Sequence, residues 1–231
     1  MIGVLLRCLV ALAVAAGSAS AADFWEKKKY TEWSRKEVQK MLNDSPWARP
    51  VEFHPPAGGG DDEDKPGRAI CEGCSGGSRR SGAPDLQQSV LVTVRWQSAL
   101  PVKQAMVRGR FGDEAANSPE AAKFLERQEP YYVVAVVGIP AHVLSGSPER
   151  FKAGARLKLK NKPPLPAADV RAEPYREYLA TVYFAFPRTQ QGAPSISLED
   201  AEVEFALELG SNDIEKKFRL KEMVFDGKLE L

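Results

Sequence analysis

A run of largely apolar residues from Tyr131 to Ile139 places the strongest constraint on what this chain can fold into. It is closed by Pro130 at one end and by Pro140 at the other. The run is too short and too rich in β-branched residues for a membrane helix. It is apolar at both alternating sets of positions, which is typical of a strand that is covered on both faces. We therefore expect the central strand of a folded core at this position.

Other segments carry strand patterns of their own. Val90 to Trp96 alternates valine and tryptophan with mostly polar residues, which predicts a strand with one apolar face. Tyr178 to Phe186 is apolar at both sets of positions and is expected beside the central strand. Near the carboxyl end, two alternating segments predict a hairpin in which Leu209 pairs with Ile214.

Capping signals predict short helices between these strands. Ser34 and Glu37 form a capping box that should start a helix at Arg35. Ser118 and Ser147 each precede proline and glutamate, which is a second kind of helix start. The whole pattern predicts an α+β fold, in which a mainly antiparallel twisted sheet carries short helices packed on it. The longest strands of that sheet are expected at Val90, Tyr131, Tyr178, Val203 and Ile214.

Residues 1–21 have the features of a secretory signal peptide. An apolar run from Val4 to Ala16 is followed by Ala-Ser-Ala, and we expect cleavage after Ala21. The alternative is an amino-terminal anchor helix, which the short apolar run disfavours. The prediction is therefore a protein exported to the periplasm or the medium, with no membrane span after cleavage.

Residues 22–50 form an aromatic-rich segment around the predicted capped helix. Docking of this helix onto the sheet is the first interpretation, because buried aromatic side chains dominate core energetics and no polar groups converge on them. The alternative is a surface that grips a protein partner. The candidate docking or partner residues are Trp25, Tyr30, Trp33 and Trp47.

Residues 51–87 are expected to form a disordered linker, because they are rich in glycine and proline and poor in apolar residues. Cys71 and Cys74 form a C-x-x-C in this segment and are the cysteines that remain after signal cleavage. A local disulfide, or two thiols without a role, is favoured over a redox or zinc site, because no helix starts there and other ligands are scarce.

The remaining residues, 88–231, are predicted to form the α+β globular domain. A chain that begins near Gln88 is therefore expected to fold alone. Hydrophobic residues make up 43% of the full sequence, which is enough to build a core.

No residue pattern demands a particular chemistry. His54 and His142 are the two histidines, and the chain has no nucleophile elbow, P-loop or dinucleotide fingerprint. A glycosidase would need paired carboxylates, yet charged residues make up 27% of the chain and chance pairs are expected. No catalytic residue, cofactor site or metal site is assigned. The carboxylates considered for such a pair are Asp113, Glu114, Glu120 and Glu126.

The charge balance argues against a nucleic-acid partner. The formal net charge is +1, and loss of Arg7 with the signal peptide brings it to about zero. No basic block with interleaved aromatic residues follows.

Several motifs resemble those of a group of uncharacterised secreted proteins from soil bacteria. The resemblance spans nearly all of the mature chain, and it implies no known activity, cofactor or partner. The same genomes encode secreted proteins with a Gly-Trp-x-Thr-Asp motif, which this chain lacks. The motifs that carry the resemblance are Phe24–Lys27, Trp33–Ser34 with Glu37, Ser45–Ala48, Arg95–Pro101 and Met223–Leu231.

The sequence therefore predicts an exported, non-catalytic interaction or scaffold module with a protein partner in the cell envelope. The alternative is a secreted hydrolase whose carboxylate catalysts the sequence does not identify. A hydrolase should show a deep pocket with converging acidic side chains. An interaction module should show an exposed apolar surface instead.

Overall fold

The computed structural model describes residues 23–55, 89–144, 148–209 and 213–231. The predicted signal peptide, most of the predicted linker and residues 210–212 of the expected hairpin turn at residues 210–213 lie outside these ranges. Cys71 and Cys74 also lie outside the described residues.

The described ranges contain short helices and thirteen strands, several of them only two residues long. The α-helices are α1 (Phe24–Lys27), α2 (Arg35–Asn43), α3 (Leu100–Phe111), α4 (Pro119–Glu126) and α5 (Pro148–Gly154). Short 3-10 turns lie at Tyr30–Glu32, Gly112–Ala116, Ala141–Leu144, Leu198–Asp200 and Leu220–Met223. The strands are β1 (Ala48–Phe53), β2 (Val90–Trp96), β3 (Tyr131–Pro140), β4 (Ala155–Leu159), β5 (Leu165–Pro166), β6 (Asp169–Arg176), β7 (Leu179–Pro187), β8 (Thr189–Gln190), β9 (Ala193–Pro194), β10 (Glu202–Glu208), β11 (Asp213–Arg219), β12 (Val224–Phe225) and β13 (Lys228–Leu229).

The longer strands form two antiparallel sheets, which confirms the predicted α+β class. One sheet has the order β1-β2-β3-β7-β6, and the other has the order β11-β10-β4-β5. The expectation of a single sheet is wrong, because the strands at Val203 and Ile214 belong to the second sheet. An alternating pattern shows that a strand has one buried face, but not which sheet the strand joins.

The strand at the Tyr131 run is central, as predicted. It is β3, and it pairs with β2 on one side and with β7 on the other. The pairing with β7 shifts by one residue between Val137 and Ile139. Gly138 takes the extra position with a φ of 92°, a conformation that glycine adopts without strain. This bulge leaves Ile139 with no exposed surface.

The two sheets bury aromatic side chains against each other. The Trp96 ring of β2 lies 5.9 Å from the Phe218 ring of β11, edge to face. The Phe184 ring of β7 lies 5.5 Å from the Phe205 ring of β10. Each of these four side chains is at most 1% exposed. Because such aromatic pairs bury large areas, the main core lies between the sheets.

The amino-terminal segment is part of this fold. β1 pairs antiparallel with β2 from Ala48 opposite Arg95 to Phe53 opposite Val90. The predicted linker boundary at residue 51 is therefore wrong, because residues 51–53 lie in the sheet. The strand was not predicted from the sequence because β1 contains Pro50 and the charged residues Arg49 and Glu52. Proline is tolerated there because β1 is an edge strand.

The capping box at the start of α2 is confirmed. The Ser34 hydroxyl accepts from the Glu37 backbone N–H at 3.3 Å, and the Ser34 N–H donates to the Glu37 carboxylate at 2.8 Å. The Lys28 ammonium also donates to this carboxylate at 2.6 Å. The Lys28 hydrogen bond and then those from Ser34 lower the pKa of Glu37 to about 2. The carboxylate is thus ionised at neutral pH at the positive end of the helix dipole.

The carboxyl-terminal hairpin is confirmed as β10 and β11, but its predicted register is wrong by two residues. Ile214 pairs with Leu207 and not with Leu209. A shift of two residues keeps each side chain on the same face, so the apolar pattern fits both registers. The observed register also places Glu204 opposite Lys217, at 3.5 Å between charged atoms.

Gly154 is expected to tolerate no side chain. A Cβ atom at this position would lie 2.3 Å from the carbonyl oxygen of Glu208, a backbone atom of β10. Gly154→Ala should therefore lower the free energy of unfolding by about 1–3 kcal/mol, the usual cost of overpacking. The control is Gly109→Ala on α3, where a Cβ would meet Val38 Cγ1 at an ordinary 3.5 Å. Urea unfolding midpoints that match for the two variants would contradict this prediction.

Candidate functional site

The three tryptophans of the amino-terminal segment lie inside the core. Trp25, Trp33 and Trp47 are 6%, 1% and 0% exposed. The Trp47 indole N–H donates to the Glu230 carbonyl at 2.8 Å, and the Trp33 indole N–H donates to the Lys28 carbonyl at 3.2 Å. These are the positions that docking of the segment requires, and they leave little tryptophan surface for a partner.

Tyr30 is the fourth candidate residue of that segment, and it is only partly buried. It belongs to the 3-10 turn Tyr30–Glu32, which contacts α3. Its ring packs against the main core and also against a small cluster around Val107, Ala115 and Ala121. Tyr30 therefore joins two apolar clusters, and the four aromatic residues do not form one exposed surface.

A groove lies between the helices and the outer face of the five-stranded sheet, and we call it the helix–sheet groove. It consists of two adjoining cavities of about 420 and about 310 Å³, which share Met106 and Phe124. Residues of α2 line one side of it, residues of α3 and α4 line the other, and β2, β3, β6 and β7 supply the floor. Cavities of this size are typical of small-molecule sites.

Apolar side chains line much of the groove because each helix turns one edge of its apolar face toward it. On α2, Val38 is buried and Leu42 is half-buried. On α4, Ala121 is fully buried while Phe124 remains half-buried in the groove. Tyr175 stands at a one-residue bulge of β6 opposite β7, and the residue is 47% exposed. A bulge redirects a side chain, and here it brings a tyrosine to the groove.

Arg95 lies in the floor of the helix–sheet groove. Its neighbours on β2, Val94 and Trp96, are fully buried in the core, so the alternation of the strand turns Arg95 to the opposite face. Its Nε donates to Gln97 Oε1 at 2.9 Å, and its Nη1 donates to the Leu42 carbonyl at 3.4 Å. Within the described part of the chain, no carboxylate lies within ion-pair distance of this guanidinium.

The surroundings of Arg95 disfavour its charge. Burial lowers the pKa of the Arg95 guanidinium, while Tyr183 and Tyr175 act in the opposite direction. Burial likewise raises the pKa of Tyr183, with a further contribution from Glu173. A buried charge without a counterion costs free energy. The groove therefore holds a positive charge that its own described residues do not neutralise.

The other charged side chains of the groove have partners. The Arg110 guanidinium lies 3.0 Å from the Glu120 carboxylate, and Arg171 forms an ion pair with Glu173. Lys103 donates to two main-chain carbonyls at the end of α4, at 2.7 and 3.3 Å. Arg95 differs from these cations. Among the described residues it has no carboxylate partner, and it donates to only one main-chain carbonyl.

The four carboxylates considered for catalysis do not share a site. Asp113 forms an ion pair with Arg108 at 2.8 Å and is almost fully exposed. Glu120 lines the groove but is held by its own ion pair, whereas Glu126 lines a different cavity. Glu114 is exposed on the 3-10 turn that follows α3. This arrangement contains no pair of carboxyl groups facing one another across a cleft.

The remaining candidate groups are also dispersed. His54 and His142 are exposed and follow different strands, β1 and β3. Among the described residues, no group of three or more His, Cys, Asp or Glu side chains is placed to hold a metal ion. No helix within the described ranges combines the length and the apolar character needed to cross a membrane.

No protein-family model, curated protein or solved structure matches this chain. The resemblance to secreted proteins of soil bacteria therefore stays an expectation from the sequence. The candidate site is defined by geometry alone.

The helix–sheet groove is the feature that sequence reasoning missed. Its residues come from segments far apart in the chain, such as Leu42, Arg95 and Tyr175. One local signal was present, because Arg95 is a long cationic residue directly between Val94 and Trp96. An arginine on an exposed sheet face is common and indicates no binding site. Arg95 points to a site only because α2 lies beside it, which the sequence did not show.

Proposed function

We propose that this chain is an exported, non-catalytic binding protein that holds a small, largely apolar ligand in the helix–sheet groove. The observation that carries the proposal is the groove itself, with apolar side chains from α2, α3 and α4 above a sheet floor. Its cavities are large enough for a small molecule. Arg110 and Arg171 have carboxylate partners and Lys103 donates to two main-chain carbonyls, whereas Arg95 has no carboxylate partner among the described residues.

Support for export comes from the amino-terminal sequence. Residues 1–21 combine an apolar run with an A-x-A cleavage pattern, which is typical of a secretory signal peptide. The resemblance to secreted bacterial proteins points the same way. A protein partner held by the tryptophans has less support than a small ligand, because Trp25, Trp33 and Trp47 are buried.

The hydrolase alternative has no specific observation in its favour. A hydrolase of the expected kind needs an acid and a base or nucleophile that face one substrate bond. The groove carboxylates Glu120, Glu129 and Glu173 are each paired with an arginine among the described residues. The groove geometry therefore supports binding over bond cleavage.

The test is the binding of Nile red, an uncharged apolar dye whose fluorescence increases when it leaves water. We expect saturable binding of one dye molecule per chain. Gly109→Leu should weaken this binding at least about tenfold, because Gly109 lines the groove and the larger side chain, whose Cβ would already contact Val38 Cγ1 at 3.5 Å, would take up part of the cavity. The thermal melt should be preserved, since leucine is a better helix former than glycine.

The matched control is Leu91→Ala. Leu91 is an apolar side chain that is 73% exposed on β2 and does not line the groove. Its removal should leave dye affinity unchanged. Absence of saturable binding in the unaltered chain, or equal loss in both variants, would contradict the proposed function.

A further inference from the structure

We propose that the helix–sheet groove binds organic monocarboxylates with a linear apolar body, and that Arg95 binds the carboxylate group. This inference rests on the proposed function, since it names the chemical class of the ligand that the groove would hold. It concerns a single charged residue and the apolar cavity around it.

The first argument is the unused hydrogen-bonding capacity of Arg95. A guanidinium has five N–H donors in a planar fork. One donor bonds Gln97 and another bonds the Leu42 carbonyl, and among the described residues no acceptor is recorded for the others. A carboxylate offers two oxygens at the spacing that an arginine fork fits, which makes it the natural acceptor for such a group.

The second argument is charge complementarity. The described side chains that line the two cavities include four cations and three carboxylates, so one positive charge is unmatched. Glu120 and Glu173 pair with Arg110 and Arg171. Glu129 pairs with Arg127, which lines neither cavity, and its charge also opposes the lowering of the Lys103 pKa by burial. Among the described residues, Arg95 is therefore the lining cation that has no carboxylate partner and no neighbouring carboxylate. A ligand with one negative charge would complete the balance. The cations are Arg95, Lys103, Arg110 and Arg171, and the carboxylates are Glu120, Glu129 and Glu173.

The surroundings of Arg95 strengthen this argument. Burial lowers the pKa of its guanidinium, because water is partly excluded from the floor of the groove. In such a place a bound anion interacts with the cation more strongly than it would at a fully exposed surface. The same exclusion of water disfavours the binding of a positively charged ligand, because its charge would lie near the Arg95 guanidinium.

The third argument is the shape and composition of the groove beyond Arg95. Met106 and Phe124 line both cavities, so the apolar lining continues from the cavity that contains Arg95 into the next. Leu42 and Phe111 extend this lining on the side of the first cavity. An unbranched hydrocarbon body fits a continuous apolar lining of this kind, and the methionine side chain adapts to it easily.

The experiment measures displacement of Nile red from the full chain by three probes with the same ten-carbon body, each below its micellar concentration. The probes are decanoate, decanol and decylamine, which carry a negative charge, no charge and a positive charge at neutral pH. We expect decanoate to displace the dye at about a tenfold or more lower concentration than decanol, and decylamine to be the weakest.

Two variants locate the effect. Arg95→Met keeps an apolar stem and removes the cation, so the preference for decanoate over decanol should disappear while decanol still displaces the dye. The control is Arg156→Met, an arginine of β4 that lines neither cavity and already has Glu208 as its partner, so it should keep the preference.

Each outcome decides the question. If the unaltered chain binds the dye but decanol displaces it as well as decanoate does, the carboxylate proposal is wrong and the proposed function stands. If Arg95→Met retains the preference, Arg95 is not the carboxylate-binding residue. If neither dye nor any probe binds, the proposed function itself fails. The comparison of probes on the unaltered chain needs no variant, so poor folding of Arg95→Met would not remove the test.

Discussion

A chain that begins at Gln88 is expected to show no cooperative melt, whereas the chain from residue 22 onward should melt sharply. The shorter chain lacks β1, so β2 loses its neighbour from Val90 to Arg95. It also lacks α2 and the three buried tryptophans. Truncating one large aromatic already costs about 3–5 kcal/mol, and the total stability of a typical domain is about 5–15 kcal/mol.

This expectation reverses the one drawn from the sequence, where residues 88–231 were predicted to fold alone. Differential scanning calorimetry of both chains would measure it. A chain from residue 22 that lacks residues 60–84 is the control, because it removes much of the intervening segment and keeps β1 next to β2. That control should melt cooperatively. A sharp melt of the chain that begins at Gln88 would show that the amino-terminal segment is dispensable for the core.

Trp33→Ala is expected to lower the free energy of unfolding by about 3–5 kcal/mol, the range for truncating a large buried aromatic. The Trp33 side chain is 1% exposed, its ring stacks edge-on against Phe24 at 5.3 Å, and its indole N–H donates to the Lys28 carbonyl. In addition, its own carbonyl accepts from Arg108 Nε at 2.9 Å, which ties this segment to α3.

The control for Trp33→Ala is Tyr178→Ala, since Tyr178 is also aromatic but is 76% exposed. The free energy of unfolding of that variant should change by no more than about 0.5 kcal/mol. Guanidinium unfolding curves would measure both values. A Trp33→Ala midpoint equal to that of the unaltered chain would mean that the tryptophan does not contribute to the core, despite its position.

The elements that could be predicted from the sequence carry strong local signals. The Tyr131–Ile139 run and the Tyr178–Phe186 run became β3 and β7, because a strand apolar on both faces has to lie inside the sheet. The capping box at Ser34 correctly predicted that α2 begins at Arg35, because a cap acts through hydrogen bonds within one helical turn.

The elements that could not be predicted depend on partners distant in sequence. The sequence of β6 is rich in charged residues and contains Pro174, a pattern typical of an exposed loop. The segment forms a strand because it pairs with β7. The register of the β10–β11 hairpin needed the turn geometry as well as the apolar pattern. The groove needed the positions of α2, α3 and β6 relative to Arg95, which no local pattern contains.

The contacts between the amino-terminal segment and the last residues of the sequence bear on when the fold can close. The Trp47 indole N–H bonds to the Glu230 carbonyl, and the Leu100 N–H at the start of α3 bonds to the Glu230 carboxylate. The ring of Trp47 also meets Phe225 at 6.3 Å. Contacts this distant in sequence form slowly, because a long loop must close before they contribute.

During synthesis on the ribosome, the tryptophans around α2 emerge long before their carboxyl-terminal partners exist. The core therefore stays open until the segment with Phe225 and Glu230 has been released, and Trp25, Trp33 and Trp47 remain accessible to chaperones for that time. Delayed closure of this kind is compatible with the proposed export, in which the chain would cross a membrane before it folds.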